Sequence, residues 1–349
     1  RSPPPSDLFC PGCDVVRVAV AGLAEQIGRA GYPQGPAADA HARCGAGPPS
    51  PDMDADPARA DLAGALDRMG PRWAEHGRRL AAPVTVSVSG RPGVGVSTVV
   101  RALNCAGCAV GDDGDVRVRI IAEVVKPEDH AALRSACIVV RTKTDLADDA
   151  GPGLRGLPLR GLLAVAGLDP EVIDDEMRAA LRTLTSQPAD LGSVDAFRTA
   201  PHAVAAAVRC RLLDRLDLFG IARAVLELRA VPDLPAAGLR RVLRDASGID
   251  AVLGQLDVAI AEVRYRRLCG VAAELEALAA ADPDAAALLY DERTVAARES
   301  AAAAVVQSAG VAIGGPGAVE AQRWRRYGDG PVTALQRAAA TDLARWAMR

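Results

Sequence analysis

The chain has 349 residues, half of them hydrophobic, and its 41 Lys and Arg against 44 Asp and Glu leave a net charge of −3. That length and apolar content can bury a core for two or three compact units. The nearly balanced charge gives no strongly basic face and speaks against nucleic acid as a partner.

Residues 1–57 read as a poorly ordered segment with one helix, Asp14–Ala30, closed by the Pro/Asp-rich linker Gly45–Pro57. Its opening, Arg1 to Ser6, carries no apolar leader run, so the expected location is the cytoplasm with the eight cysteines mostly reduced. Cys10, Cys13, His41 and Cys44 stand at two-residue gaps in each half, a ligand-like spacing for zinc. Against zinc, Asp14 occupies the place where such a knuckle usually carries glycine. Absence of metal is therefore the expectation.

Leu62, Leu66 and Met69 have helical spacing, and the chain then passes Trp73 into the strand Val84–Val88. Next comes Gly90-Arg-Pro-Gly-Val-Gly-Val-Ser-Thr98, a strand–loop–helix with the G-x-x-x-x-G-K-[ST] pattern except that Val96 fills the lysine slot. Backbone amides at Gly93 and Gly95, with the Ser97 and Thr98 hydroxyls, suit an anion. The missing ammonium removes charge-assisted bonds of roughly 1.5–3 kcal/mol each.

The β-branched runs Val116–Val125 and Cys137–Arg141 are separated by a helical segment, Pro127–Ala136. Strand and helix in alternation predict a doubly wound parallel sheet of about four to six strands. Thr142-Lys143-Thr144-Asp145 follows directly, in the position of the [N/T]-K-x-D element of guanine-nucleotide proteins. There a carboxylate such as Asp145 accepts from the guanine edge while a Lys143 stem covers the base. The apolar run Leu159–Ala166 precedes a helix expected to start near Asp169-Pro170-Glu171.

From Ser193 onward the periodicity is helical. Leu212, Leu213, Leu216 and Phe219 share a face, and Ile249–Ala279 reads as one continuous helix of about 45 Å at 1.5 Å per residue. Cys105-Ala-Gly-Cys108 reads as a helix end with two small buried residues. Arg323-Trp-Arg-Arg-Tyr327 and Trp346 read as a terminal helix snorkelling over the core, with a membrane surface as the weaker alternative. The four histidines form no recognisable hydrolase triad.

Taken together, Gly90–Thr98, the run Glu123-Val-Val-Lys-Pro-Glu-Asp129, Cys137–Leu146, Arg215–Ile221 and Ser247–Asp250 give the chain a resemblance to the dynamin-like branch of bacterial GTPases across about residues 60–280. Thr142 in place of Asn is a variant that dynamins themselves use. The resemblance implies a reduced P-loop GTPase-like α/β domain over 58–190, followed by an all-helical domain over 191–349. It further implies GTP or GDP as the ligand, at Gly90, Gly93, Gly95, Ser97, Thr98, Thr142, Lys143 and Asp145, and a sister GTPase as the partner.

The departures point the other way. Only Cys105–Asp115 separates the first helix from the next strand, without room for a switch threonine or a D-x-x-G turn. Ala164-Val165-Ala166 stands where a base-contacting S-A-K turn belongs. The expectation is a non-catalytic GTPase-like docking or regulatory protein with no catalytic residue. The rival is a guanine-nucleotide-binding regulator or slow GTPase that uses the loop backbone and Asp145.

Overall fold

A computed structural model describes residues 56–122, 126–143 and 156–349. Cys10, Cys13, His41, Cys44, the helix expected over Asp14–Ala30, Thr144 and Asp145 lie outside the described residues.

In chain order the elements are α1 (Pro57–Arg68), α2 (Pro71–Ala81), β1 (Thr85–Gly90), α3 (Val96–Cys105), β2 (Ala109–Val110), β3 (Val116–Ile121), α4 (Pro127–Ser135), β4 (Ile138–Arg141) and β5 (Leu157–Pro158). They continue as α5 (Gly161–Leu168), α6 (Asp175–Ser186), α7 (Val194–Thr199), α8 (Ala206–Ala230), α9 (Ala236–Ser247), α10 (Ile249–Leu278), α11 (Pro283–Leu289), α12 (Glu292–Ser308), α13 (Ala318–Gly328) and α14 (Ala334–Trp346). Helix starts follow local chemistry. Asp56 accepts from the Ala58 and Arg59 amides ahead of Pro57, and Thr333 with Gln336 forms a complete capping box on α14.

Contacts divide the chain into two units. Among the described residues, one comprises those of Val88–Val110 and Arg117–Val252; the other comprises residues 56–87, Gly111–Val116 and Leu253–Arg349. This interleaved division differs from the linear boundaries at 57/58 and 190/191. Leu62, Leu66 and Trp73, which precede the first strand, share a core with Tyr265, Leu275, Val305, Trp324 and Leu343. Each such full burial contributes about 1.5–3 kcal/mol relative to exposure, which fixes the partnership of α1 and α2 more firmly than chain order does.

The sheet has the order β2-β1-β3-β4-β5. β3 pairs with β4 in parallel through Val118↔Ile138 and Ile120↔Val140, and β4 with β5 through Val140↔Leu157. Val116, Val118, Ile120, Ile138 and Val140 are buried, the alternation that a pleated strand needs. The two-residue β2 lies inside the link Cys105–Asp115, where no strand was expected; Cys105 is exposed and Cys108 half-buried, so that helix end is more open than the sequence suggested.

Two other expectations are corrected. The apolar run Leu159–Ala166, with Ala164–Ala166 at the place of a base-contacting turn, is mostly helical: its residues 161–166 open α5, in which Leu163, Ala164, Val165 and Ala166 are all buried. A helix buried on every side loses its 3.6-residue pattern and looks like a buried strand. The next helix starts at Asp175, capped by Asp174, and not near Asp169. Asp169 instead closes a short turn by accepting from the Glu171 amide at 3.0 Å.

In the first unit, α8 is broken at Asp217, whose φ of 54° and ψ of −176° are not helical. Its carboxylate accepts from the Gly220 amide at 2.9 Å and so caps the restarted helix. In the second unit, Trp324 is fully buried with Arg323 over its ring at 5.0 Å, as the snorkelling reading expects. α10 runs unbroken over Ile249–Leu278. Among the described residues no helix is long and apolar enough to cross a membrane. The exposed large hydrophobics there are Val194, Val231, Tyr290, Val319 and Met348, none of them on α10.

Candidate functional site

The strand–loop–helix over 85–105 forms as the sequence suggests, and its loop is a tight turn. The Val94 amide donates to the Arg91 carbonyl at 3.3 Å, with Pro92 and Gly93 between them and Gly93 at φ 82°. Pro followed by a positive-φ glycine is the arrangement of a type II turn. Gly95 follows in the left-handed region as the N-cap of α3, with no side-chain cap. The first turn of α3, from Val96 through Thr98, thus holds amides without an intrahelical acceptor.

The inner side of the turn is apolar. A Cβ added at Gly90 would stand 2.7 Å from a Val94 methyl and 2.9 Å from a Val96 methyl. Val94 is buried. The valine in the lysine slot therefore packs back toward the end of β1.

Thr142, buried at the end of β4, donates its hydroxyl to the Val94 carbonyl at 2.6 Å, and the Ile121 carbonyl lies 3.3 Å away. The two sequence motifs therefore meet at one edge of the sheet. Val94 has both its amide and its carbonyl engaged within the protein. Lys143 is exposed and sits at φ 56°, a left-handed conformation rare for a side-chain-bearing residue.

A buried ion network holds the turn from its other end. Asp129, fully buried near the start of α4, accepts from Arg91 Nε at 3.0 Å, from an Arg119 terminal nitrogen at 2.8 Å and from the Lys126 amide at 3.1 Å. Burial opposes its ionisation, but the bonds from Arg119, Lys126 and Arg91 outweigh that and hold its carboxyl below the usual range. Loop, strand β3 and helix α4 are joined by this one carboxylate.

The sequence reading overlooked Arg91 and Arg119. The available signal was an arginine inside the glycine loop together with Asp129 three residues after Lys126 in Lys-Pro-Glu-Asp, the pattern of a helix start. Ala164–Ala166, expected to offer backbone to a base, lie inside α5 with their peptide groups in a helix. No group of three or more His, Cys, Asp or Glu among the described residues is arranged to hold a metal ion.

Ser97 and Thr98, on the first turn of α3, line a cavity of about 230 Å³ together with Arg101, Leu162, Val165, Val172, Asp214 and Arg215. Arg101 is paired with Asp169 at 2.9 Å. The Asp169 carboxyl is held low by its bond from the Glu171 amide, against the effect of burial, with further help from Arg101 and the charge of Arg215. Comparison of the chain with models of known protein families, with curated proteins and with solved structures finds no match in any of the three.

Proposed function

We propose that this chain is a non-catalytic GTPase-like protein, a cytoplasmic docking or regulatory partner of a GTP-competent relative. In this reading the phosphate-loop corner serves as a structural brace. The supporting observation is that the Val94 amide, a donor that a phosphate loop would offer to a ligand, is held by the Arg91 carbonyl, while Thr142 pins the Val94 carbonyl and the Val94 and Val96 methyls crowd Gly90. The amides of the first turn of α3 remain available to an anion, but a loop with valine in the lysine slot brings no cation to the developing charge of a transferring phosphoryl group.

The test is isothermal titration of the full chain with GTP, GDP and ATP in the presence of Mg²⁺, alongside phosphate release. The expected outcome is no hydrolysis above a buffer blank and no nucleotide binding in the micromolar range. Guanine-specific binding that Asp145→Ala abolishes would instead support the nucleotide-binding regulator. Turnover that scales with protein concentration would sink the non-catalytic reading.

A further inference from the structure

The cavity beside α3 has a composition that its neighbourhood does not explain. One wall is aliphatic, from Leu162 and Val165 on α5 and from Val172, and the two valines are buried. The lining also includes Ser97, Thr98 and the consecutive Asp214 and Arg215 on α8. Arg101 is already paired with Asp169. Asp214 and Arg215 make no hydrogen bond or ion pair with another described residue, although Arg215 is near enough for its charge to act on Asp169. Three residues beyond Asp214 the helix breaks at Asp217, whose backbone lies in a region that side-chain-bearing residues rarely occupy. Strained backbone of this kind is concentrated beside binding sites.

A cationic and an anionic side chain without partners, two hydroxyls and an aliphatic wall fit a ligand with one negative group, one positive group and a short branched apolar body. We propose that this cavity binds an apolar α-amino acid, its carboxylate on Arg215 and the Ser97 and Thr98 hydroxyls, its ammonium on Asp214, and its side chain against Leu162, Val165 and Val172. Arginine is suited to the first contact because its planar fork matches a carboxylate. A site that pairs both charges should bind analogues lacking either one more weakly, since one charge-assisted contact is then lost. The volume of about 230 Å³ accommodates a leucine-sized molecule. This site shares Ser97 and Thr98 with the candidate nucleotide loop and differs from it in using Asp214 and Arg215.

Calorimetric titration of the full chain with leucine, with 4-methylpentanoate, which lacks the ammonium, and with 3-methylbutylamine, which lacks the carboxylate, tests the assignment. Leucine is expected to bind at least about tenfold more tightly than either analogue. Asp214→Asn should erase the preference over 4-methylpentanoate, and Arg215→Gln the preference over 3-methylbutylamine. Both positions are exposed, so neither change threatens the fold. Val165→Phe, which fills the cavity, should abolish all three, with unchanged circular dichroism as the control. Failure of leucine to bind, equal binding of the three compounds, or affinities unaltered by both charge variants would overturn the proposal.

Discussion

Asp129 in the sheet-bearing unit and Asp342 in the helical unit are both buried carboxylates held by arginine, yet they join different kinds of structure. Asp129 connects a turn, a strand and the start of a helix through Arg91, Arg119 and the Lys126 amide. Asp342 connects regular helices: it accepts from Tyr265 of α10 at 2.8 Å and from Arg298 of α12 at 2.7 Å, with Arg345 of its own helix at 3.6 Å. Around Asp342 the aliphatic core of Leu268, Leu275, Val305 and Leu343 already fixes the helices, and the polar cluster sets their register. At the turn the Val94 and Val96 methyls pack at Gly90, and Asp129 ties Arg91 of the loop to β3 and α4. In one unit the ion network joins regular helices, and in the other it ties a loop to regular elements.

The sharpest way to break this contrast is Asp129→Ala. Two guanidinium groups, themselves only 20% and 13% exposed, would lose the Asp129 carboxylate. Breaking a buried pair by removing one partner costs on the order of 3–5 kcal/mol. Urea unfolding should register a loss of that size. The sign of the pH effect follows from the lowered carboxyl: the contribution of Asp129 is complete above its unfolded pKa of about 3.9 and is lost as pH falls through the lower folded value. Asp129→Asn should accordingly flatten the acid limb of the stability profile. An unchanged limb would show that the network adds nothing.

Tyr265→Phe tests the other side. The phenol is buried, and burial first, then the neighbouring Asp342 charge, push its ionisation above the ordinary range, so it acts only as a donor at accessible pH. Loss of a hydrogen bond to a charged acceptor costs about 1.5–3 kcal/mol. Because Arg298 still neutralises Asp342, thermal unfolding should show a loss at the lower end of that range and no change in fold. A penalty as large as that of Asp129→Ala would erase the distinction between the two networks.

Thr142→Val is the next smaller effect. It keeps shape while removing the hydroxyl that reaches the Val94 carbonyl at 2.6 Å. A loss of about 1 kcal/mol is expected. Hydrogen exchange at the Val94 amide should also accelerate, because the turn then hangs on the Arg91 end alone. Unaltered exchange there would mean that Thr142 does not brace the turn.

How much of this was legible in the sequence depended on how local the signal is. The strand–loop–helix was readable because Pro92, Gly93 and Gly95 encode their turn within a few residues, and α10 because its apolar positions repeat over 30 residues. α5 was not anticipated because Leu163 to Ala166 are apolar on all sides and show no helical period. Arg91 and Asp129 are 38 positions apart and meet only once β3 and α4 have formed. The cavity draws on α3, α5 and α8, and no spacing rule anticipates such a meeting. The break at Asp217 was hidden because an aspartate that caps a new helix inside a run of leucines leaves the hydrophobic pattern almost intact.

The smallest expected effect concerns an ion pair at the surface of the helical unit, where neither core nor loop depends on the charge. Asp291 caps α12 and accepts from both the backbone and the guanidinium of Arg293, and these bonds, the side-chain one foremost, bring its carboxyl down to about 2. A lowered acid is stabilising above its unfolded pKa of about 3.9, and that contribution fades as pH falls toward 2. Both side chains are solvated, so solvent screening leaves Arg293→Ala with a stability change too small for an unfolding curve to resolve. The resolving measurement is therefore a carbon-detected titration of the Asp291 carboxyl. In the parent chain its midpoint should lie near 2, and in Arg293→Ala it should rise toward the ordinary value while the retained amide bond keeps it somewhat below. A midpoint that does not move would assign the lowering to the helix start alone, and would leave the buried networks as the sites where arginine controls a carboxylate in this protein.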